Sequence, residues 1–398
     1  MTDDRRPVVA IYKDKLLPPS QTFVRLQAET LRNYLPLYVT GGILRDGLSL
    51  PRERCLVVNT GGWLGAAREA VFQISGFAPK MFRRLRAVRP VLIHSHFGPD
   101  GLRGRYLSRK LGVPLVVTFH GYDATILPGA SPSRRFRSYL RHRHVLGTDA
   151  TLLIAVSQHI KQRLVEQGLP AEKMIVHYIG IDPDCFRANP AVAREPIVLF
   201  VARLVEKKGC EYLIQAMSRV QAENPNAKLV IIGEGHLRGK LQELASRCCK
   251  NVDFLGVKPM EEIRHWMNRA TVFSVPSVTA ANGDQEGFGL VFAEAQAMGL
   301  PVASFASAGV KEAVADGITG FLTGERDVEG LAKNILVLLN NSAIWRQLSE
   351  AGMARVRSLF NVHTQTRILE DIYSLATREA SSQARQPARF QVPEMPTL

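Results

Sequence analysis

Two glutamates flank a glycine-rich turn in N-G-D-Q-E-G-F-G-L-V-F-A-E, residues 282–294, and the turn runs into an apolar helical pattern. If Gly287 to Gly289 open a helix, Glu286 and Glu294 lie on nearly one face with roughly 12 Å of rise between them. Carboxylates acting as acid and base on one glycosidic bond stand about 5 to 10 Å apart, so this spacing suits two grips on a longer ligand instead. Backbone N–H groups from Gly287 through Phe288 and Gly289 to Leu290, at a helix start, can cradle an anion. Glu286 would then accept hydrogen bonds from hydroxyls attached to that anion, and Glu294 from hydroxyls at the far end. The order sugar, diphosphate, ribose fits. The competing reading makes Glu286 a helix cap and Glu294 a solvated or salt-bridged helix residue.

Three further features stand at strand ends in the same half. In A-R-L-V-E-K-K-G, Arg203 ends a strand and Lys208 precedes Gly209 and a helix; a guanidinium and an ammonium beside a helix N-terminus make a diphosphate site. Gly233-Glu234-Gly235 follows the strand K-L-V-I-I and lets backbone approach a ring or a phosphate, or makes a tight turn. Val257 and Lys258, after V-D-F-L-G, could present backbone groups to a base edge, or simply end a strand. In the first half, strands end in His96 and in His120-Gly121-Tyr122-Asp123. A metal site of His94, His96 and His120 lacks a carboxylate at ligand spacing, so no metal is expected.

These residues need strands to carry them. Short apolar runs alternate with helical patterns: residues 8–12, 36–40, 55–59, 91–95, 115–119 and 152–156, then, after a Pro- and Asp-rich connector, 197–203, 228–233, 252–256, 271–275 and 301–305. Such alternation predicts an α/β protein with two successive doubly wound, Rossmann-like parallel sheets. The predicted domains are 1–188 and 189–361, with a C-terminal helix over 362–378 crossing back to the first domain and a flexible tail over 379–398. Ligands of open α/β sheets bind beyond the carboxyl ends of the strands, which points to a central cleft between the facing domains.

The net charge of +15 is unevenly divided. Residues 1–190 hold 28 Lys plus Arg against 14 Asp plus Glu, whereas the remaining 208 residues hold 23 against 22. In 79–90 the bases Lys80, Arg83, Arg84 and Arg86 interleave with Phe77, Met81, Phe82, Leu85 and Val88 at helical spacing, giving a basic amphipathic helix. It has two readings, a core-packed surface helix or a docking element for anionic lipid. Nucleic acid is not expected as a partner, because no recognised binding motif is present. Five scattered cysteines without a C-x-x-C pair exclude a disulfide framework and suit a reducing cytoplasm. The N-terminus lacks the pattern of a signal peptide, and no apolar run is long enough to span a bilayer.

In this order and on these elements, Arg203, Lys208, the G-E-G turn and the Glu286–Glu294 pair resemble the retaining GT-B glycosyltransferases of family 4. P-P-S-Q-T-F-V (18–24), H-S-H-F-G (94–98) and T-F-H-G-Y-D (118–123) are similar to the branch that builds bacterial exopolysaccharide and capsule. The resemblance implies transfer of a sugar from a UDP- or GDP-sugar to a glycan or lipid-linked acceptor, on the cytoplasmic face of the membrane, with no cofactor or metal. It assigns the diphosphate to Arg203 and Lys208, the ribose to Glu294, the transferred sugar to Glu286 and the Gly287–Gly289 backbone, and contact near the reacting carbon to His120. The first βα loop, K-D-K-L-L-P-P-S-Q-T-F, lacks the glycine pair of many members. Ser20, Gln21 and Thr22 are therefore treated as acceptor or phosphate contacts, and His96, Tyr122 and Asp123 are assigned to the acceptor. The competing functions are a nucleotide-sugar epimerase or a phosphorylase of the same fold, or a non-catalytic membrane scaffold; the complete set of site residues speaks against the last.

Overall fold

The computed structural model describes residues 5–42, 47–130 and 133–383. The chain forms two compact units, one ending at Gly180 and taking in the helix from Val362, the other Ile181–Asn361.

The first unit is built on seven parallel strands: β1 (Val8–Lys15), β2 (Leu35–Gly42), β3 (Cys55–Val57), β4 (Leu92–His96), β5 (Leu115–Phe119), β6 (Leu152–Ala155) and β7 (Met174–Val176), ordered β3-β2-β1-β4-β5-β6-β7. Helices cover both faces, so the central strands are buried over nearly all their length, polar strand-end residues included. The order reverses direction between β1 and β4, and the ends of these two strands carry Lys13, Asp14 and His96. The helix Val362–Gln383 lies on this sheet: Leu369, Ile372 and Tyr373 join a core with Val9, Val116 and Leu152. It extends past the predicted end at residue 378, because the pattern T-R-E-A-S-S-Q contains no Pro or Gly to stop it. Residues 384–398 of the predicted tail lie outside the described residues.

The second unit has six parallel strands: β8 (Ile197–Val201), β9 (Lys228–Ile232), β10 (Val252–Gly256), β11 (Val272–Phe273), β12 (Val302–Phe305) and β13 (Gly320–Thr323), ordered β10-β9-β8-β11-β12-β13. Again the order reverses at one crevice, between β8 and β11, and the loops after these strands hold Arg203–Lys208 and the segment leading to Glu286.

The amphipathic helix expected over 79–90 is Pro79–Val88, and its apolar stripe is core: Met81, Phe82 and Leu85 are buried while Lys80, Arg83, Arg84 and Arg86 face solvent. Packing therefore uses its apolar face. Among the described residues no helix is long and apolar enough to cross a membrane.

Candidate active site

The second unit gathers most of the candidate residues. After β8 the buried Leu204 anchors a loop on which Arg203 is exposed, and a single 3-10 turn, Glu206–Lys208, turns both lysines inward. Lys207 Nζ lies 3.0 Å from Asp284 Oδ1 and 3.4 Å from the Gln285 carbonyl. Lys208 Nζ pairs with Glu286 Oε2, and both side chains are nearly buried. Burial alone would push the Glu286 carboxyl up, but Lys208, Lys207 and Arg203 hold it down at about 2. The same burial, with the like charges of Lys207 and Arg203, draws Lys208 below the ordinary lysine range although Glu286 opposes this. Three cations thus converge on a buried carboxylate. Of them, Arg203 makes no side-chain hydrogen bond or ion pair among the described residues.

The glycine turn is held from behind. Gly309 N–H donates to the Glu286 carbonyl at 3.1 Å, and a Cβ at Gly309 would stand 2.1 Å from the Gly287 carbonyl oxygen. Glu325, after β13, ties the neighbouring loops together by accepting from Ser307 Oγ (2.7 Å), Thr279 Oγ1 (3.0 Å) and Thr279 N–H (3.2 Å). Sequence reasoning missed Lys207, Asp284 and Glu325. The E-K-K-G doublet did contain Lys207, but nothing in it shows that both ammonium groups point inward.

The helix opens at Leu290, with Gly289 at φ 85° as its cap residue, so Glu286 precedes the helix and the helical-rise estimate of its distance from Glu294 does not apply. Phe288 is buried against Phe360, ring centroids 5.0 Å apart, so its ring is part of the core. The Glu294 side chain makes no hydrogen bond or ion pair among the described residues. Burial pushes its carboxyl up to about 7. It is not salt-bridged, and its carboxylate is a partly exposed acceptor with no protein donor among the described residues.

Gly233 and Gly235 turn out to face protein. A Cβ on Gly233 (φ 137°) would stand 1.9 Å from the Ala202 carbonyl oxygen, and one on Gly235 2.2 Å from that of Leu204. The G-E-G run is thus packed against the loop that carries Arg203, and Leu204 N–H bonds the Glu234 carbonyl at 2.9 Å. The Glu234 side chain pairs with Arg238 at the surface. Val257 is exposed after the edge strand β10, and Lys258 pairs with Glu262 at 2.8 Å. Gly233→Ala should lower stability by about 1–3 kcal/mol and displace Arg203, because alanine is strained at this φ and its methyl group collides with Ala202. Urea unfolding and nucleotide titration of the variant check this; an unchanged midpoint refutes it.

In the first unit, His96 Nδ1 and His120 Nε2 are 3.1 Å apart, and the His120 ring lies between Phe97 and Phe23, centroids 4.4 and 5.0 Å away. Burial, with Lys13 nearby, keeps both imidazoles well below the usual histidine range, so they are neutral. His120 Nδ1 is buried without a partner among the described residues. His94 differs: its two nitrogens bond Tyr373 OH (2.7 Å) and Thr118 Oγ1 (2.8 Å), leaving no nitrogen for a metal. Among the described residues no group of three or more His, Cys, Asp or Glu is placed to hold a metal ion.

Asp123 is buried and accepts backbone N–H bonds from Gly98 (2.9 Å), His120 (3.0 Å) and Gly121 (2.9 Å), so it orders the loop under His120. Gln21 and Tyr122 line a cavity of about 480 Å³ with Lys13, Lys15, Arg135 and Phe136. Ser20 and Thr22 are exposed beside it in sequence. The charged floor of this cavity was missed by sequence reasoning. Lys13 Nζ is 2.6 Å from Asp100 Oδ2 and 4.1 Å from the centre of the Phe97 ring, while Arg135 bridges Asp100 and Asp14.

Comparison with known proteins adds identity to this geometry. Residues 183–355 match the glycosyl transferases group 1, and residues 42–185 match Glycosyltransferase Family 4. The chain is 34% identical over 283 residues to the amylovoran biosynthesis glycosyltransferase AmsK of Erwinia amylovora, covering 70% of this chain and 68% of that protein. It is 31% identical over 295 residues to the GDP-mannose-dependent alpha-(1-6)-phosphatidylinositol monomannoside mannosyltransferase of Mycolicibacterium smegmatis, covering 70% and 74%. The crystal structure of Anabaena Alr3699/HepE in complex with UDP-glucose superposes with a TM-score of 0.73 at 22% identity, over 92% of this chain and 99% of that one, and shares its fold.

Proposed function

The chain belongs to the family 4 glycosyltransferases and has their GT-B fold, and from that premise we propose that it transfers a sugar from a UDP- or GDP-sugar to a hydroxyl of a glycan or lipid-linked acceptor, with retention and without a metal ion. Exopolysaccharide or glycolipid synthesis is the setting its relatives indicate. The observation that carries the reading is the convergence of Arg203, Lys207 and Lys208 at the turn before Leu290, with Glu294 unpartnered.

Negative charge grows on the departing diphosphate as the glycosidic bond breaks, and fixed cations there lower the barrier. Arg203 is free to take that charge. Lys208 has three N–H donors, so pairing with Glu286 leaves others for phosphate oxygens. Glu286, kept ionised by its neighbours, accepts hydroxyl hydrogen bonds from the sugar, and Glu294 those of the ribose. The cations do the work a divalent metal does elsewhere. In keeping with the family the sequence resembles, the acceptor hydroxyl attacks from the face the diphosphate leaves, and the phosphate takes its proton. Lys13, Gln21, Tyr122 and Arg135 line the acceptor cavity of the first unit. The basic first unit docks on the anionic inner leaflet, where a lipid-linked acceptor resides.

The test screens nucleotide sugars for thermal stabilisation, which reports binding to the native state, and follows slow donor hydrolysis in the presence of a chelator. A stabilising UDP- or GDP-sugar, chelator-resistant turnover and a product with the donor's anomeric configuration are expected. Absence of both binding and hydrolysis across the panel rejects the enzyme; an inverted product rejects same-face attack.

A further inference from the structure

The helix Gly62–Ser75 differs from the neighbouring Pro79–Val88: it buries Phe72 but leaves its other large apolar side chains facing solvent. Trp63 is 79% exposed, Ile74 87% and Phe77 58%, and Leu64 and Val71 are about half exposed. Ala66, Ala67 and Ala70 are exposed on the same helix, together with the polar Arg68 and Ser75. Five of the twelve exposed large apolar side chains among the described residues thus fall within fifteen consecutive positions. A contiguous patch of this kind marks an interaction surface, since single exposed apolar residues are ordinary and clusters are not.

Charge says what the surface meets. Residues 61–93 contain six bases and one acid, and that acid, Glu69, is buried and paired with Lys15 at 2.6 Å. The exposed part of this segment therefore carries no carboxylate. The helix Gly98–Leu111 packs beside both segments: a Cβ at Gly76 would lie 3.6 Å from Tyr106 Cβ, and Lys110 Nζ is 4.9 Å from the centre of the Phe82 ring. Lys80, Arg83, Arg84 and Arg86 are exposed on the helix that follows the apolar one in sequence. Aromatic and aliphatic groups bordered by Lys and Arg, without acids, match the boundary between anionic headgroups and acyl chains.

We propose that the helix Gly62–Ser75, with Phe77, inserts its Trp63-Leu64-Val71-Ile74-Phe77 face into an anionic phospholipid leaflet, while Pro79–Val88 supplies the headgroup contacts. The inference rests on the membrane docking proposed above and changes its nature: binding is hydrophobic as well as electrostatic, and the inserting element is a helix with a single exposed charge, Arg68.

The experiment mixes the full chain with vesicles of phosphatidylglycerol and phosphatidylcholine and reads Trp63 emission and co-sedimentation. Trp63 should shift to the blue and be quenched by brominated acyl chains, with Trp63→Phe as the control for Trp266 and Trp345. Ile74→Ser/Phe77→Ser should lower partitioning roughly tenfold or more. Because both side chains are exposed, the melting temperature should not move. Wild type should retain part of its binding from about 0.1 M to about 1 M salt, where screening removes purely electrostatic attachment. Binding that is equal in the double variant, or an unmoved Trp63, overturns the insertion and leaves docking by charge. Absence of binding to any vesicle overturns docking and insertion together. Sedimentation equilibrium showing a dimer that the double variant abolishes, without vesicle binding, assigns the face to a second copy and also overturns the proposal.

Discussion

Lys208→Ala should lower kcat for sugar transfer by roughly 10²- to 10³-fold, the loss seen when one fixed donor to a developing anion is removed. The variant should also be less stable. Lys208 and Glu286 are both nearly buried, and the ammonium group is the leading influence that keeps the carboxylate ionised against burial. Taking away one partner of a buried pair costs about 3–5 kcal/mol, and the low end applies here because Lys207 and Arg203 remain close. Glu286 then takes up a proton more readily, so part of the lost stability should return at low pH. Two measurements separate the roles. Lys208→Arg keeps the charge and should recover the melting temperature more fully than the turnover, because a planar guanidinium does not reproduce an ammonium contact. A double-mutant cycle with Glu286→Gln should show coupling of about 0.5–3 kcal/mol in urea unfolding. Wild-type kcat in a normally folded Lys208→Ala enzyme would remove Lys208 from the donor site.

The central strands were legible in the sequence because helices bury both their faces: β1, β2, β8 and β9 each contain an apolar run of four or five residues. The two strands that were not read, β7 and β13, sit at the sheet edges with three and four residues and partly exposed side chains. Nothing in M-I-V or G-F-L-T distinguishes them from loop. The two acids around the glycine turn could be found by spacing, but which groups meet them could not. Lys207 and Asp284 are 77 positions apart and Lys13 and Asp100 are 87 apart, so only the fold brings each pair together. G-E-G was visible as a glycine motif, yet its nearest neighbour is the Ala202–Leu204 backbone, a contact that carries no signature of its own. Periodicity misled at the surface, too. It marked Pro79–Val88 as amphipathic, which it is, but the helix with the exposed apolar face is the neighbouring one, whose alanine-rich sequence reads as ordinary core.

Glu294→Gln should stabilise the protein above neutral pH while weakening donor binding. In the folded chain burial lifts the Glu294 carboxyl to about 7 from the ordinary value of 4.5. Between these two values the native state holds a proton that the unfolded chain releases, so wild-type stability falls as pH rises through this window. The full penalty, reached above pH 7, is at most about 3 kcal/mol at 1.36 kcal/mol per unit, an upper bound because the side chain keeps some contact with solvent. Glutamine carries no such penalty. The variant should therefore match wild type near pH 4.5 and exceed it at pH 8 in urea unfolding followed by Trp266 and Trp345, both of the second unit. A ligand whose hydroxyls donate to Glu294 favours the ionised form, so binding must release a proton. Wild-type affinity for a nucleotide sugar should then rise from about pH 6 to about pH 8, and calorimetry in buffers of different ionisation enthalpy should detect the released proton. A nucleotide sugar suits this better than a free diphosphate, whose terminal phosphate titrates in the same range. In Glu294→Gln both the slope and the proton release should vanish; if either persists, another group binds the ribose and Glu294 is only a buried acid. The variant that gains stability and loses ligand would show that the unpaired carboxyl is kept at a cost to the fold for the sake of the donor.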